Sequence, residues 1–255
     1  MRNQLKAEWF KLRRNKTFGI LVFTITGLSA LLHYLVIIEW WQMYNTPFDH
    51  AGLGELKALT MFTVPMFFNL MVGTLAGFFI SNEFSQTSVI KNQMISGSKR
   101  SHIFLSKYVI FTLGSIVVII LIPLVIVLIE VMFLGYGNIL SLSGMLYIGR
   151  AFGLFTLHFL SYTGIILLLA IAVEDSGKTI ILSILFTFVM FAVEQLSRYP
   201  IINSFYEYTI FYQFSEAFQV SMTTGEILRS ITIAMATLII IILFGVFIFN
   251  RKEIK

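Results

Sequence analysis

The chain has 255 residues, of which 57% are hydrophobic and 12% charged, about half the charged share of a soluble domain. With 26 Phe against a net charge of +5, its apolar surface exceeds what a soluble core of this length takes up, and lipid is its natural solvent. The lack of cysteine excludes a disulfide framework and any thiolate metal site.

The chain opens on "RNQLKAEWFKLRR", residues 2 to 14. Leu5, Trp9 and Leu12 follow i, i+4, i+7 and share one helical face, while Lys6, Lys11, Arg13 and Arg14 lie around the others. This predicts an amphipathic helix in the headgroup plane with Trp9 at the boundary. Its role is a topology anchor, or a connecting helix that also touches a cytoplasmic partner. The apolar run Phe18–Ile38 is too long for a signal-peptide core, and no A-x-A-like site follows it, so it is expected to remain as a membrane helix.

Five more segments suffice to cross a bilayer core of about 30 Å, which takes about 20 helical residues. They are Met61–Ile80, Ile103–Leu134, Leu146–Val173, Thr179–Leu196 and Ile231–Phe249. The third and fourth spans exceed the minimum and must tilt, kink or protrude. Pro123 offers the third a kink, because it lacks a backbone donor and clashes with the preceding turn. Gly73 and Gly77 in span two are spaced for close helix approach, within the bundle or between subunits. Gly149 and Gly153 repeat that spacing in span four, but span two is the better placed.

Between spans two and three lies "SNEFSQTSVIKNQMISGSKRSH", residues 81 to 102. Ser81 and Asn82 can cap a helix start, and Gly97 can end it in a left-handed conformation. Ile90 and Met94 stand one turn apart. The pattern predicts a short helix parallel to the membrane and suited to docking, with a solvated loop as the alternative. "EDSGKTI", residues 174 to 180, has the Gly-Lys-Thr tail of a phosphate loop, but Ala172 stands where the first glycine belongs and a membrane helix precedes it. It reads as a tight turn in which Gly177 bends the chain. Residues 197–228 carry Tyr199, Phe205, Tyr206, Tyr208, Phe211, Tyr212, Phe214 and Phe218. They are too polar for a span and too aromatic for a free loop, so one or two short helices dipping into the outer leaflet, or packed on the bundle, are expected.

If the N-terminus is cytoplasmic, every Lys and Arg except Lys57, Arg150, Arg198 and Arg229 falls on the cytoplasmic side, as the positive-inside rule asks. His158 lies nearest the middle of a span and is a possible intramembrane polar site, although a lone His also reads as a packed, hydrogen-bonded residue. The histidines show no HExxH or paired-carboxylate spacing, and no G-x-S-x-G elbow occurs. A lipid enzyme would want a cluster of acids or histidines near the headgroups, and an ion-coupled transporter would want ligands near the midplane of repeated halves. Both stay open as rival classes without a cluster or repeat to support them.

The opening "LKAEWFKLRRNKTF", the stretch "NEFSQTSVIKNQMISGSKRSHIFLSKY" and the six-span layout together resemble the permease subunits of bacterial ABC transporters of the ABC-2 type, over essentially the whole chain. In that family an acidic residue after span two opens a coupling helix, followed by a small and basic turn into span three. Glu83 and Ser98-Lys99-Arg100 match those places. The resemblance implies an all-α integral membrane protein forming a single permease domain over residues 1–255. It would comprise an interfacial helix at 1–16, a coupling loop at 81–102 and an outer helical loop at 197–228, with both termini cytoplasmic in a bacterial cell membrane. It implies a dimer with a second copy or a related permease, surrounded by lipid and driven by separate cytoplasmic ATPase subunits that hold the ATP and magnesium. Glu83, Phe84, Ile90 and Met94 are the expected ATPase-coupling residues. This chain is expected to be no enzyme, to hold no cofactor or metal and to bind no nucleic acid. The expected substrate of such an exporter is an amphipathic peptide, such as an antimicrobial peptide, or a lipid-like molecule, because the spans offer almost no charged lining.

Overall fold

The computed structural model describes residues 1–85, 88–134 and 141–252. Gln86 and Thr87 of the expected coupling loop, and Lys255, lie outside the described residues. Among the described residues the protein is all-α, with six helices long and apolar enough to cross a membrane. Helix α1 (Arg2–Arg14) ends at Asn15, whose side chain accepts the Phe18 N–H at 3.0 Å and so caps α2 (Lys16–Ile37). The inward face of α1 carries Leu5, Glu8 and Leu12, whereas Trp9 is exposed beside Phe10. Trp9 is therefore off the face it was expected to share with Leu5 and Leu12, and Glu8 stands on that face instead.

The second span, α3 (Pro65–Ser85), starts four residues later than Met61. Val64 is extended and Pro65 takes the first helical position, where its missing N–H costs nothing, so Leu59–Thr63 becomes a separate turn. Within α3 the turn Ala76–Ser81 is π-helical. Helix α4 (Ser88–Ile95) ends as predicted at Gly97, which sits at φ +83°. The third span, α5 (Arg100–Leu134), absorbs Pro123 with a π-helical turn at Val117–Leu121. Such a turn re-routes the bonds that the proline ring would obstruct.

Spans four and five are α6 (Leu142–Val173) and α7 (Ser176–Leu196). Their junction is a tight turn, but Glu174 makes it, in the left-handed conformation at φ +57°. Asp175 caps α7 by accepting the Lys178 N–H at 2.8 Å, so Gly177 is already helical rather than the bend. Two short helices, α8 (Pro200–Tyr206) and α9 (Ile210–Glu216), precede the sixth span, α10 (Thr224–Arg251), which opens on a Thr223–Glu226 capping box.

Helix α6 is the most buried span, while α7 and α10 are the most exposed. α2 packs along the second half of α5, α3 along α7, α6 along α10, and α1 along the first half of α5. α1, α4, the α6–α7 turn and Lys252 make one end of the bundle, here the basic end. At the opposite, aromatic end, α9 packs Phe211 and Phe214 among Phe68, Phe155 and Tyr162, with Phe68 5.0 Å from both Tyr162 and Phe214. The segment between spans five and six is thus a pair of short helices seated on the bundle.

Candidate functional site

Four charged side chains meet at the basic end, each from a place fixed by its helix. Glu8 and Lys11 stand three apart on α1, Glu83 ends α3, and Lys107 stands two turns into α5. The Lys107 Nζ lies 3.2 Å from both Glu8 oxygens and pairs also with Glu83. The Lys11 Nζ is 2.9 Å from Glu8 Oε1 and 2.9 Å from Glu83 Oε1. Gln93 of α4 donates to Glu8 Oε1 at 3.0 Å. Lys107 is 0% exposed and Glu8 1%. Isolated charges that deep cost several kcal/mol each, and the arrangement survives because two anions alternate with two cations.

The pKa shifts follow. Burial alone would raise the Glu8 carboxyl, but the Lys107 and Lys11 charges and the hydrogen bonds from Lys11 and Gln93 outweigh it and hold it below the usual range. Burial would lower the Lys11 ammonium, and Glu8 and Glu83 instead hold it above its ordinary value.

The expected coupling residues take different positions. Glu83 faces its own chain's cations. Phe84 is buried, edge-on to Phe249 of α10 at 5.9 Å, with the Lys252 ammonium 5.5 Å from its ring centre. Ile90 is fully buried, and Met94 is half-buried against the same core. Ile90 is therefore not a free docking knob, since α4 must turn that side inward for Gln93 to reach Glu8. The exposed apolar residue of α4 is Ile95, at 75%, with Lys91 and Asn92 also exposed. Sequence reasoning missed Glu8, Lys11, Gln93 and Ile95, and treated Lys107 only as a basic flank. A signal existed: a lone Lys inside an apolar run demands a buried carboxylate. Arg100, in the expected basic turn, donates to the carbonyls of Asn250 at 2.8 Å and Lys252 at 2.7 Å, tying the start of α5 to the end of α10.

Gly73 and Gly77 form a seam within the chain, between α3 and α7. A Cβ on Gly73 would collide with the Ser183 hydroxyl, and one on Gly77 would stand 2.8 Å from the Ser176 carbonyl oxygen. The Ser176 hydroxyl donates to the Gly77 carbonyl at 2.7 Å. Gly149 and Gly153 face open space. His158 is buried, with Nε2 2.9 Å from the Ser230 hydroxyl, which joins α6 to α10. Its Nδ1 has no partner among the described residues. Asn69 and Tyr162, both fully buried, are hydrogen-bonded to each other between α3 and α6.

Towards the aromatic end, α3 and α7 enclose a cavity of about 540 Å³, walled by aromatic rings of α7 and α9 and bearing Glu194.

A family model described as ABC-2 family transporter protein matches residues 4–194. The match takes in the charge cluster, the glycine seam and five of the six spans. Comparison with curated proteins and with solved structures finds no match. The matched stretch is well over half of the chain, which belongs to the ABC-2 transporter family and is a membrane permease of that kind.

Proposed function

We propose that this chain is the membrane subunit of an exporter driven by a separate cytoplasmic ATPase, with α4 as the element that receives the push. The single observation that carries this reading is the charge cluster. It fastens α4 and α1 to the end of α3 and to α5, so a force on α4 reaches two spans directly. Glu83 then transmits force through Lys107 and Lys11, and Phe84 and Ile90 anchor the element to the bundle. Met94 and Ile95 are the side chains left for the ATPase. ATP and magnesium are bound by that partner, and the permease acts as a dimer with a second copy or a related chain. The basic end faces the cytoplasm of a bacterial cell, because Lys and Arg concentrate there. The whole of residues 1–255 forms one permease domain. An amphipathic peptide or lipid-like substrate suits spans with few charges and an aromatic-walled cavity.

Co-expression with the partner ATPase tests this. Burying an Ile in an interface contributes about 1.5–3 kcal/mol, so Ile95→Asp should reduce ATPase co-purification by roughly tenfold or more and abolish substrate-stimulated hydrolysis, with the fold intact. Full binding and turnover in that variant would remove α4 as the coupling element and leave the Glu174–Asp175 turn as the next candidate.

A further inference from the structure

Helices α3 and α7 touch at Gly73–Ser183 and Gly77–Ser176, then diverge. Between Val64–Met66 on one side and Thr187–Glu194 on the other they leave the cavity of about 540 Å³, covered by α8 and α9. Sites for small molecules usually measure about 300–1,000 Å³. Val64, Met66, Phe188 and Phe191 at its edge are exposed on the flank of the bundle, so the mouth opens sideways towards lipid. Phe211 and Phe214 of α9 form the inner wall.

Most polar groups in this wall present acceptors to a ligand. Glu194 is the one charged residue of the lining, and it has no ion-pair partner among the described residues. The Thr187 hydroxyl already donates to the Ser183 carbonyl and the Ser215 hydroxyl to the Tyr212 carbonyl, so each offers only lone pairs to a ligand. Thr60 also lines the cavity, and its Oγ1 has no partner among the described residues. With its single charge negative, such a wall attracts positive charge and offers it several acceptors beside the hydroxyls of Thr60 and Tyr206, and aromatic faces nearby suit a cation as well. Glu194 and Thr187 are two helical turns apart, about 10 Å, which leaves an apolar stretch between the carboxylate and the floor.

We propose that this cavity binds an amphiphile with a primary ammonium head, entering from the lipid phase, with its ammonium on Glu194 and its apolar chain among Phe188, Phe191, Phe211 and Phe214. Anionic amphiphiles are rejected, because a carboxylate would face their charge with no cation to offset it. Burial and the neighbouring Glu194 carboxylate push the Tyr206 phenol above its ordinary range, so it stays neutral beside the head group. This deepens the permease reading and rests on it only for the step from binding to transport.

The chain has no cysteine, so Ser215→Cys places a single thiol in the cavity wall. The full chain in phosphatidylcholine nanodiscs is labelled with a neutral maleimide, with dodecylammonium or dodecyl sulfate at equal mole fraction. Dodecylammonium should slow labelling about fivefold or more, dodecyl sulfate should not, and adding Glu194→Gln should erase the difference. Leu243→Cys, on the exposed face of α10, should respond to neither. Protection by phosphatidylethanolamine as well as by dodecylammonium would identify a resident lipid as the source of the ammonium, and protection by dodecylammonium without it a passing solute. Equal protection by both detergents, or by neither, overturns the site. So does a thiol that is already shielded in dimers and reactive in monomers, because a second copy then fills the cavity. The labelling needs no ATPase, so loss of selective protection discards the site, while co-purification with the ATPase separately decides the permease reading.

Discussion

Lys107 is fully buried, and its ammonium is held by two carboxylates from different helices, Glu8 of α1 and Glu83 of α3. Lys107→Met leaves those carboxylates facing each other with only the half-exposed Lys11 between them. Breaking a buried pair by removing one partner costs about 3–5 kcal/mol, so this variant should unfold at clearly lower temperature in detergent, and α1 should become open to protease. Glu83→Gln, which spares the Glu8–Lys107 pair, should cost less. Equal stability of Lys107→Met and the parent would show that the cluster locks nothing. The pH dependence has a definite sign. Glu8 is depressed when folded, so its contribution is complete above the ordinary carboxylate range and fades as pH falls through its lowered value. Lys11 is raised, so its contribution is complete below the ordinary lysine range and fades only as pH rises through its raised value. Attachment of α1 should thus hold through neutral pH and loosen in acid. Glu83 was singled out by the resemblance as the opening of a coupling helix, whereas it stands in the last turn of α3. Its partners were not legible, because Lys107 is 24 residues away and the Glu8–Lys107 pair spans 99. Helix spacing shows which residues share a face, and it cannot show which distant face comes to meet them.

The glycines make the same point for elements. Gly73-x-x-x-Gly77 and Gly149-x-x-x-Gly153 have identical spacing, yet one pair lies under Ser183 and Ser176 of α7 and the other faces open space. Gly73→Leu should force α3 and α7 apart and cost about 1–3 kcal/mol of overpacking, visible as a lower melting temperature. Gly153→Leu should not destabilise, since helix propensity favours it and nothing stands in its way. Matching losses in the two variants would dissolve the seam. Span number was plain in the sequence because hydropathy is local, and Gly97 marked the end of α4 because only its backbone freedom mattered. Span edges were less plain. Pro65 moved the start of α3 past Met61, while Ser141 and Thr223 began α6 and α10 earlier than their apolar runs, since capping hydroxyls rather than hydropathy set those ends. The two π-helical turns left no mark apart from Pro123.

For the molecule as a whole, the bundle separates a basic end from an aromatic end. Reporter tags near residues 1, 92 and 252 should therefore report from the cytoplasm, and tags near 50 and 215 from outside. A cytoplasmic signal near 215 would overturn the orientation and with it the docking of an ATPase on α4. The pairing of α3 with α7 also has a mechanical consequence. Two rods that touch along one short seam and spread beyond it behave as a lever with a fixed fulcrum. From Gly77 to Pro65, α3 extends about 18 Å at the helical rise, so a tilt of about 10° at the seam swings its far tip by about 3 Å. On the proposed coupling, a short stroke beside Glu83 would be magnified into a change of jaw width at Val64. The small residues at the fulcrum set the gearing: a bulkier pivot would already hold the jaws apart and leave less travel to exploit.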